Sequence, residues 1–203
     1  MKGTPRGCFS NRGGMGMTVE WEFYERGVDV EAYMDQMTDE AKKEGALAVY
    51  QKVEMTKTPS FYATLVRKPV VVLVITEDWC GDAMMNVPIL RRLAELAQID
   101  VRVVLRDEDV TLIDCHLTNG GRSIPIFLAL DQEGKVIQKW GPRARVVQRD
   151  VEQLMSELPE KEDLNFEEER QEAIRTLTHR YATSQSYWRA VHDELVDWLA
   201  SCN

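Results

Sequence analysis

Cysteine is scarce in this chain of 203 residues, and its four cysteines are scattered singly, at Cys8, Cys80, Cys115 and Cys202. Small secreted domains use dense disulfide networks, and nothing in this spacing resembles one. We therefore expect reduced thiols and a cytoplasmic location. Histidine is also rare, and no Cys–His pairs stand at metal-binding spacing, so the sequence predicts neither a metal site nor a cofactor.

Long apolar runs and an excess of basic residues are missing as well. The longest apolar run, Val70 to Ile75, has the length of a strand, whereas a membrane span needs about 18 apolar residues. Residues 1–17 carry basic side chains with no apolar stretch after them, which favours a disordered tail over a secretory signal. A net charge of -9 argues against a nucleic-acid partner, because phosphates require a basic surface. We expect no membrane partner either.

The central part of the chain alternates between strand and helix patterns, which predicts an α/β core over residues 69–158. Helical spacing marks residues 86–96, 110–117 and 146–158, and β-rich runs mark residues 70–76, 101–105, 124–130 and 136–140. Strands separated by helices pair in parallel, whereas the short turn at residues 131–134 predicts an antiparallel hairpin. The expected fold is a central mixed β-sheet flanked by helices.

Helical patterns also flank this core. Residues 18–68 are expected to form an N-terminal helical extension, with Asp29 and Thr38 as N-caps. Residues 159–203 are expected to form a C-terminal helical extension, whose last helix places Trp188 and Trp198 on one face. That face either contacts the core or forms the seam of a homodimer.

The candidate chemistry lies at Cys80, directly after the most apolar strand and before a helix. Backbone amides and the helix dipole at such a junction stabilise a thiolate, which is the nucleophilic form of cysteine. Glu77, Asp78 and Asp82 oppose this with negative charge. If they point to water they are screened, whereas an Asp82 packed beside the sulfur would keep the thiol pKa near or above its ordinary value. Asp82 is otherwise a stabilising carboxylate of the first helical turn.

The motif Trp79-Cys80-Gly81 resembles the active-site loop of thioredoxins. Downstream, the segment from Gly121 to Pro125, followed by an apolar strand, is similar to the thioredoxin segment that carries a cis-proline. The resemblance implies a thioredoxin-like fold with additional N- and C-terminal helices. It also implies that Cys80 is the catalytic residue and that the substrate is contacted by Trp79, Gly81, Asp82, Ile124 and Pro125.

The departures from the thioredoxin pattern bear on activity. Dithiol members have a second cysteine where this chain has Ala83, and they tend to have a buried aspartate where it has Val74. The resemblance therefore implies a monothiol member that performs redox thiol–disulfide exchange as a thiol–disulfide oxidoreductase. Its partner would be a protein disulfide or a low-molecular-weight thiol, and Arg122 is a candidate to hold a carboxylate of such a thiol. The alternative is a catalytically silent binding module for a protein or peptide.

Overall fold

The computed structural model describes residues 18–203 and is organised by a five-stranded mixed sheet; the predicted tail at residues 1–17 lies outside this range. The strands are β1 (Val28–Asp29), β2 (Val71–Thr76), β3 (Val101–Leu105), β4 (Ile126–Leu130) and β5 (Val136–Trp140). The helices are α1 (Val19–Arg26), α2 (Val30–Gln36), α3 (Glu40–Lys52), α4 (Pro59–Ala63), α5 (Gly81–Ala97), α6 (Thr111–Cys115), α7 (Arg145–Ser156), α8 (Phe166–Thr183) and α9 (Gln185–Ala200).

The sheet has the strand order β1-β3-β2-β4-β5, which places the most apolar strand at its centre. β2 pairs in parallel with β3 and antiparallel with β4, and the hairpin adds β5 antiparallel to β4. Residues 72–75 of β2 are at most 1% exposed, because helices cover both faces of the sheet. The predicted α/β class, with a mixed sheet and flanking helices, is confirmed.

The first part of the chain supplies an edge of this sheet, which the sequence patterns did not predict. Val28 and Asp29 pair with Val103 and Arg102 of β3. A strand of two residues is too short to show an alternating pattern, so its hydrophobic period carries no signal. Asp29 caps α2 as predicted, by accepting a hydrogen bond from the amide of the second helical residue.

The predicted N-cap at Thr38 is wrong by one residue. Asp39 caps α3, because its side chain accepts a hydrogen bond from the amide of Lys42. Thr38 instead donates both its amide and its hydroxyl to the carboxylate of Asp78, in the loop after β2. This contact fastens the N-terminal extension to the loop that carries Cys80.

α5 begins at Gly81, which agrees with the expectation that Asp82 lies in its first turn, although helical spacing is visible in the sequence only from Asn86. Its first turns are buried on every side, since α3, α8 and α9 all pack against it. A helix that is covered all round has no polar face, so the amphipathic period that marks a helix start is absent there.

The C-terminal helices pack onto the domain rather than extending from it. Trp188 and Trp198 of α9 are 2% and 6% exposed, and Trp198 lies against Phe127 of β4. His192, which is fully buried, hydrogen-bonds through Nε2 to the hydroxyl of Tyr62 on α4 at 2.8 Å. The tryptophan face therefore contacts the core, and these side chains are not free to form a seam with a second copy.

None of the helices within residues 18–203 combines the length and the apolar character needed to cross a bilayer.

Gly45 in α3 offers a test of the packing between α3 and α5. A Cβ at this position would lie 2.3 Å from the sulfur of Met84, which is 2% exposed. Alanine improves helix propensity by about 1 kcal/mol, but overpacking a core costs about 1–3 kcal/mol. We predict that Gly45→Ala lowers the free energy of unfolding, measured by urea denaturation, by about 1 kcal/mol.

The matched control is the same substitution made in a Met84→Ala background. There the obstructing sulfur is gone, so Gly45→Ala should be neutral or stabilising. If Gly45→Ala stabilises the unmodified chain, the close contact described here is wrong.

Candidate functional site

Cys80 is the N-cap residue of α5 and lies against the loop that precedes β4. Its Sγ is 3.6 Å from the carbonyl oxygen of Ile124, and the residue is 7% exposed. The Ile124–Pro125 peptide bond is cis, and both residues are buried. The fold thus brings together the thiol and two of the residues that the resemblance assigned to substrate contacts.

A second loop, between β5 and α7, closes around the proline. A Cβ on Gly141 would lie 2.3 Å from the carbonyl oxygen of Pro125, and the φ of Gly141 is +117°, so only glycine fits there. Asn86 of α5 is fully buried, and its side-chain amide donates through Nδ2 to the carbonyl oxygen of Pro142 at 3.0 Å. This loop is therefore held by both the cysteine helix and the proline segment.

Trp79 forms the open side of the site. It is 49% exposed, and the guanidinium of Arg106 lies over its ring, 5.1 Å from the ring centroid. Arg106 also donates to the carbonyl oxygen of Arg122 at 3.0 Å. A large aromatic surface is thus presented to solvent beside a buried thiol.

Asp82 does not point to water. It is 7% exposed, and its two carboxylate oxygens each accept a 2.7 Å hydrogen bond from the guanidinium of Arg143. The nearby Tyr181 of α8 also acts to lower the pKa of this carboxyl group. Of the two possibilities left open by the sequence, the structure selects an Asp82 packed into the site.

The other two acidic residues of the loop are used by the backbone of neighbouring segments. Glu77 accepts the amide of Asp107 at 2.7 Å, and Asp78 accepts the amide of Thr38 at 2.9 Å. Asp82 is therefore the carboxylate whose charge acts on the thiol.

The surroundings of Cys80 favour its protonated form. Burial, and to a smaller extent the nearby charge of Asp82, raise the pKa of the thiol to about 11. The amides of Ala83 and Asp82 and the guanidinium of Arg143 act in the opposite direction, but more weakly. Burial also raises the pKa of Asp82, against the lowering effect of Arg143. At neutral pH the thiolate is thus a small fraction of the population.

Helix α8 covers the cysteine helix at its first residue. A Cβ on Gly81 would lie 3.5 Å from the ring of Tyr181 and 3.7 Å from the hydroxyl of Thr178. Gly81 thus faces the C-terminal extension. No sequence pattern points to Tyr181, because it lies far along the chain and outside any motif. The pairing of Arg143 with Asp82 is likewise set by the fold.

Arg122, the predicted carboxylate-binding residue, is paired in the structure with a carboxylate of the protein itself. Its guanidinium forms a bidentate ion pair with Asp114 of α6, at 2.6 and 2.9 Å. Both side chains are exposed, and the pair leaves the carboxylate-binding edge of the guanidinium occupied.

Comparison with known proteins identifies the family. The sequence model described as thioredoxin matches residues 27–157, which is more than half of the chain. The chain belongs to the thioredoxin family. No curated protein matches it.

Two solved structures share the thioredoxin fold of this chain. A protein of unknown function from Pseudomonas aeruginosa is 19% identical with a TM-score of 0.54, over 85% of this chain and 96% of that one. An HIV epitope-scaffold is 16% identical with a TM-score of 0.57, over 86% of this chain and 93% of that one. At these identities the likeness shows the fold alone.

Two positions that carry redox chemistry in dithiol thioredoxins hold apolar residues here. Ala83 is 2% exposed and lies in the first turn of α5, three positions after Cys80. Val74 is fully buried in β2, between Val103 and Phe127 of the neighbouring strands. The family scaffold is thus retained around a single cysteine in this loop.

The buried ion pair between Asp82 and Arg143 predicts how the pKa of Cys80 changes when Asp82 is replaced. Asp82→Asn removes the like charge and frees the Arg143 guanidinium, so the pKa of Cys80 should fall by about one to two pH units. The measurement is the pH dependence of iodoacetamide alkylation, read by peptide mass spectrometry. Cys202 is an internal control, because burial alone raises the pKa of its thiol to about 11.

A second control is Asp35→Asn, which makes the same charge change at an exposed position of α2. This variant should leave the alkylation profile of Cys80 unchanged. An unchanged profile in folded Asp82→Asn, checked by circular dichroism, would show that Asp82 does not control the thiol.

Proposed function

We propose that this protein performs thiol–disulfide exchange through the single thiol of Cys80. The observation that carries the proposal is the position of the sulfur, at the N-terminus of α5 and 3.6 Å from the carbonyl of Ile124. A helix N-terminus stabilises the thiolate that attacks a disulfide, and the neighbouring loop offers backbone groups to an extended substrate.

The exchange step conserves atoms and electrons. The thiolate of Cys80 attacks one sulfur of a substrate disulfide, a mixed disulfide forms, and the second substrate sulfur leaves as a thiolate that takes a proton from water. Because Ala83 replaces a resolving cysteine in this loop, a low-molecular-weight thiol completes the cycle. Its thiolate attacks the mixed disulfide, which reduces Cys80 and oxidises the small thiol into the product disulfide.

The proposed substrate contacts lie on two sides of the Cys80 sulfur. Trp79 provides an exposed apolar surface, and Ile124 with Pro125 forms the opposite wall. Gly81 and Asp82 lie under α8, so their role is to hold the cysteine helix and to set the charge near the sulfur. A substrate therefore approaches from the Trp79 side.

The burial of Cys80 favours a second candidate function. The thiol is 7% exposed and its pKa is raised to about 11, which are properties of a structural cysteine rather than of an activated one. In that case the surface between Trp79 and the Ile124–Pro125 loop holds a protein or peptide without chemistry, and the exposed ring of Trp79 supplies the contact surface. Such binding should survive Cys80→Ser, whereas exchange should not.

The reaction with bis(2-hydroxyethyl) disulfide, an uncharged probe, tests exchange directly. Mixed-disulfide formation is followed by intact mass, and the site is assigned by peptide mass spectrometry. Because the thiolate fraction limits the rate, we predict a rise of about tenfold per pH unit between about pH 7 and pH 9. Cys202→Ser should keep this reaction, and Cys80→Ser should abolish it.

The binding-module function predicts a different result. The folded protein would then form no mixed disulfide at Cys80 over the same pH range, although the urea-unfolded protein would react readily. That outcome would reject exchange.

A further inference from the structure

A cavity of about 820 Å³ opens beside the proposed site and is not used by the exchange step described above. Its lining includes Ser123, which precedes Ile124, and the loop residues Gly141, Pro142 and Arg143. Arg143 is the residue that binds Asp82 in the first turn of the Cys80 helix. The cavity therefore begins at the wall of the thiol site.

Two further arginines line this cavity. Arg145 and Arg149 both lie on the first turns of α7, and both residues are exposed. Arg145 has only a 3.4 Å contact with Glu194, and its side chain is 88% exposed. Within residues 18–203, Arg149 forms no ion pair. Both guanidiniums are thus accessible to a ligand.

The acidic residues of the cavity are already engaged by the protein. Glu194 accepts the backbone amide of Arg145 at 2.8 Å and so caps α7, which has no side-chain cap of its own. Glu152 accepts the side-chain amide of Gln148 at 2.8 Å. The lining thus carries charges of both signs, and the guanidinium donors of Arg145 and Arg149 are available to a ligand, in a protein whose net charge is -9.

We propose that this cavity binds the carboxylate groups of a small anionic thiol or disulfide whose sulfur meets Cys80. The inference rests on the proposed exchange function and names the chemical class of its low-molecular-weight partner. Arginine binds carboxylates through two parallel hydrogen bonds, and Arg145 and Arg149 are free to do so. Arg122, the arginine suggested by the sequence, is already paired with Asp114 through two hydrogen bonds.

A small anionic thiol or disulfide is long enough to contact both Cys80 and the cavity. An extended segment of three residues spans about 10 Å, and residues adjacent in the chain lie about 3.8 Å apart. Since Ser123, which lines the cavity, is adjacent to Ile124, a ligand of a few residues' length is long enough to reach from the sulfur of Cys80 to the cavity lining. Longer polypeptides are not required for this contact.

The experiment compares two small disulfides that differ in charge. Dithiodipropionate is anionic, and bis(2-hydroxyethyl) disulfide is neutral; each is reacted with the full chain, and mixed-disulfide formation at Cys80 is followed by mass spectrometry. The readout is the ratio of the two second-order rate constants, because differences in the amount of Cys80 thiolate cancel in it. Arg145→Glu/Arg149→Glu should lower this ratio about tenfold at low salt, in line with electrostatic steering.

The matched control is Arg175→Glu/Arg189→Glu. It makes the same change in net charge at exposed arginines of α8 and α9 that do not line the cavity. The control should keep the ratio of the unmodified chain. The milder pair Arg145→Gln/Arg149→Gln should give an intermediate ratio, and added salt should reduce the differences among the variants.

The outcomes separate the two proposals. If the cavity variants and the control keep the same ratio while Cys80 reacts with both probes, exchange stands and the carboxylate site is wrong. If Cys80 reacts with neither probe, the exchange function fails, and the anionic-partner assignment fails with it. A ratio that falls only in the cavity variants supports the assignment.

Discussion

The buried ion pair between Asp82 and Arg143 is the constraint on which the site depends. A carboxylate that is 7% exposed is costly unless a partner satisfies it, and here a guanidinium does so through two 2.7 Å hydrogen bonds. The pair joins the first turn of α5 to the loop before α7, and α8 covers the same turn, because a Cβ on Gly81 would lie 3.5 Å from the ring of Tyr181. The cysteine, the proline loop and the C-terminal extension are thereby held in one arrangement.

This arrangement has opposing effects on the pKa of the Cys80 thiol. The amides at the start of α5 stabilise a thiolate, whereas burial and the charge of Asp82 favour the protonated sulfur, and the second pair of effects is the larger. A protonated resting thiol is compatible with exchange because a thiol of high pKa yields a more nucleophilic thiolate, although less of it is present. It also limits oxidation of the cysteine in the absence of a substrate.

The flanking helices are part of the site rather than appendages. The N-terminal extension supplies β1 to the sheet edge, and through Thr38 it holds Asp78 in the cysteine loop. The C-terminal extension covers Gly81 with α8 and caps α7 with Glu194 of α9. Access to the sulfur is consequently confined to the side of Trp79 and the proline loop, and the cavity next to that loop lies within reach of a small ligand.

The sequence by itself determined the class of the fold and the place of the thiol. Local patterns in the sequence can be recognised without a structure. They include the apolar strand before Cys80, the strand at Val101–Leu105 and the hairpin that ends at Trp140. The tertiary structure alone decided the surroundings of that thiol. The contact of Asp82 with Arg143 spans 61 positions of the chain. Burial and ion pairing depend on which distant segments meet, so hydrophobic period and motif spacing do not encode them.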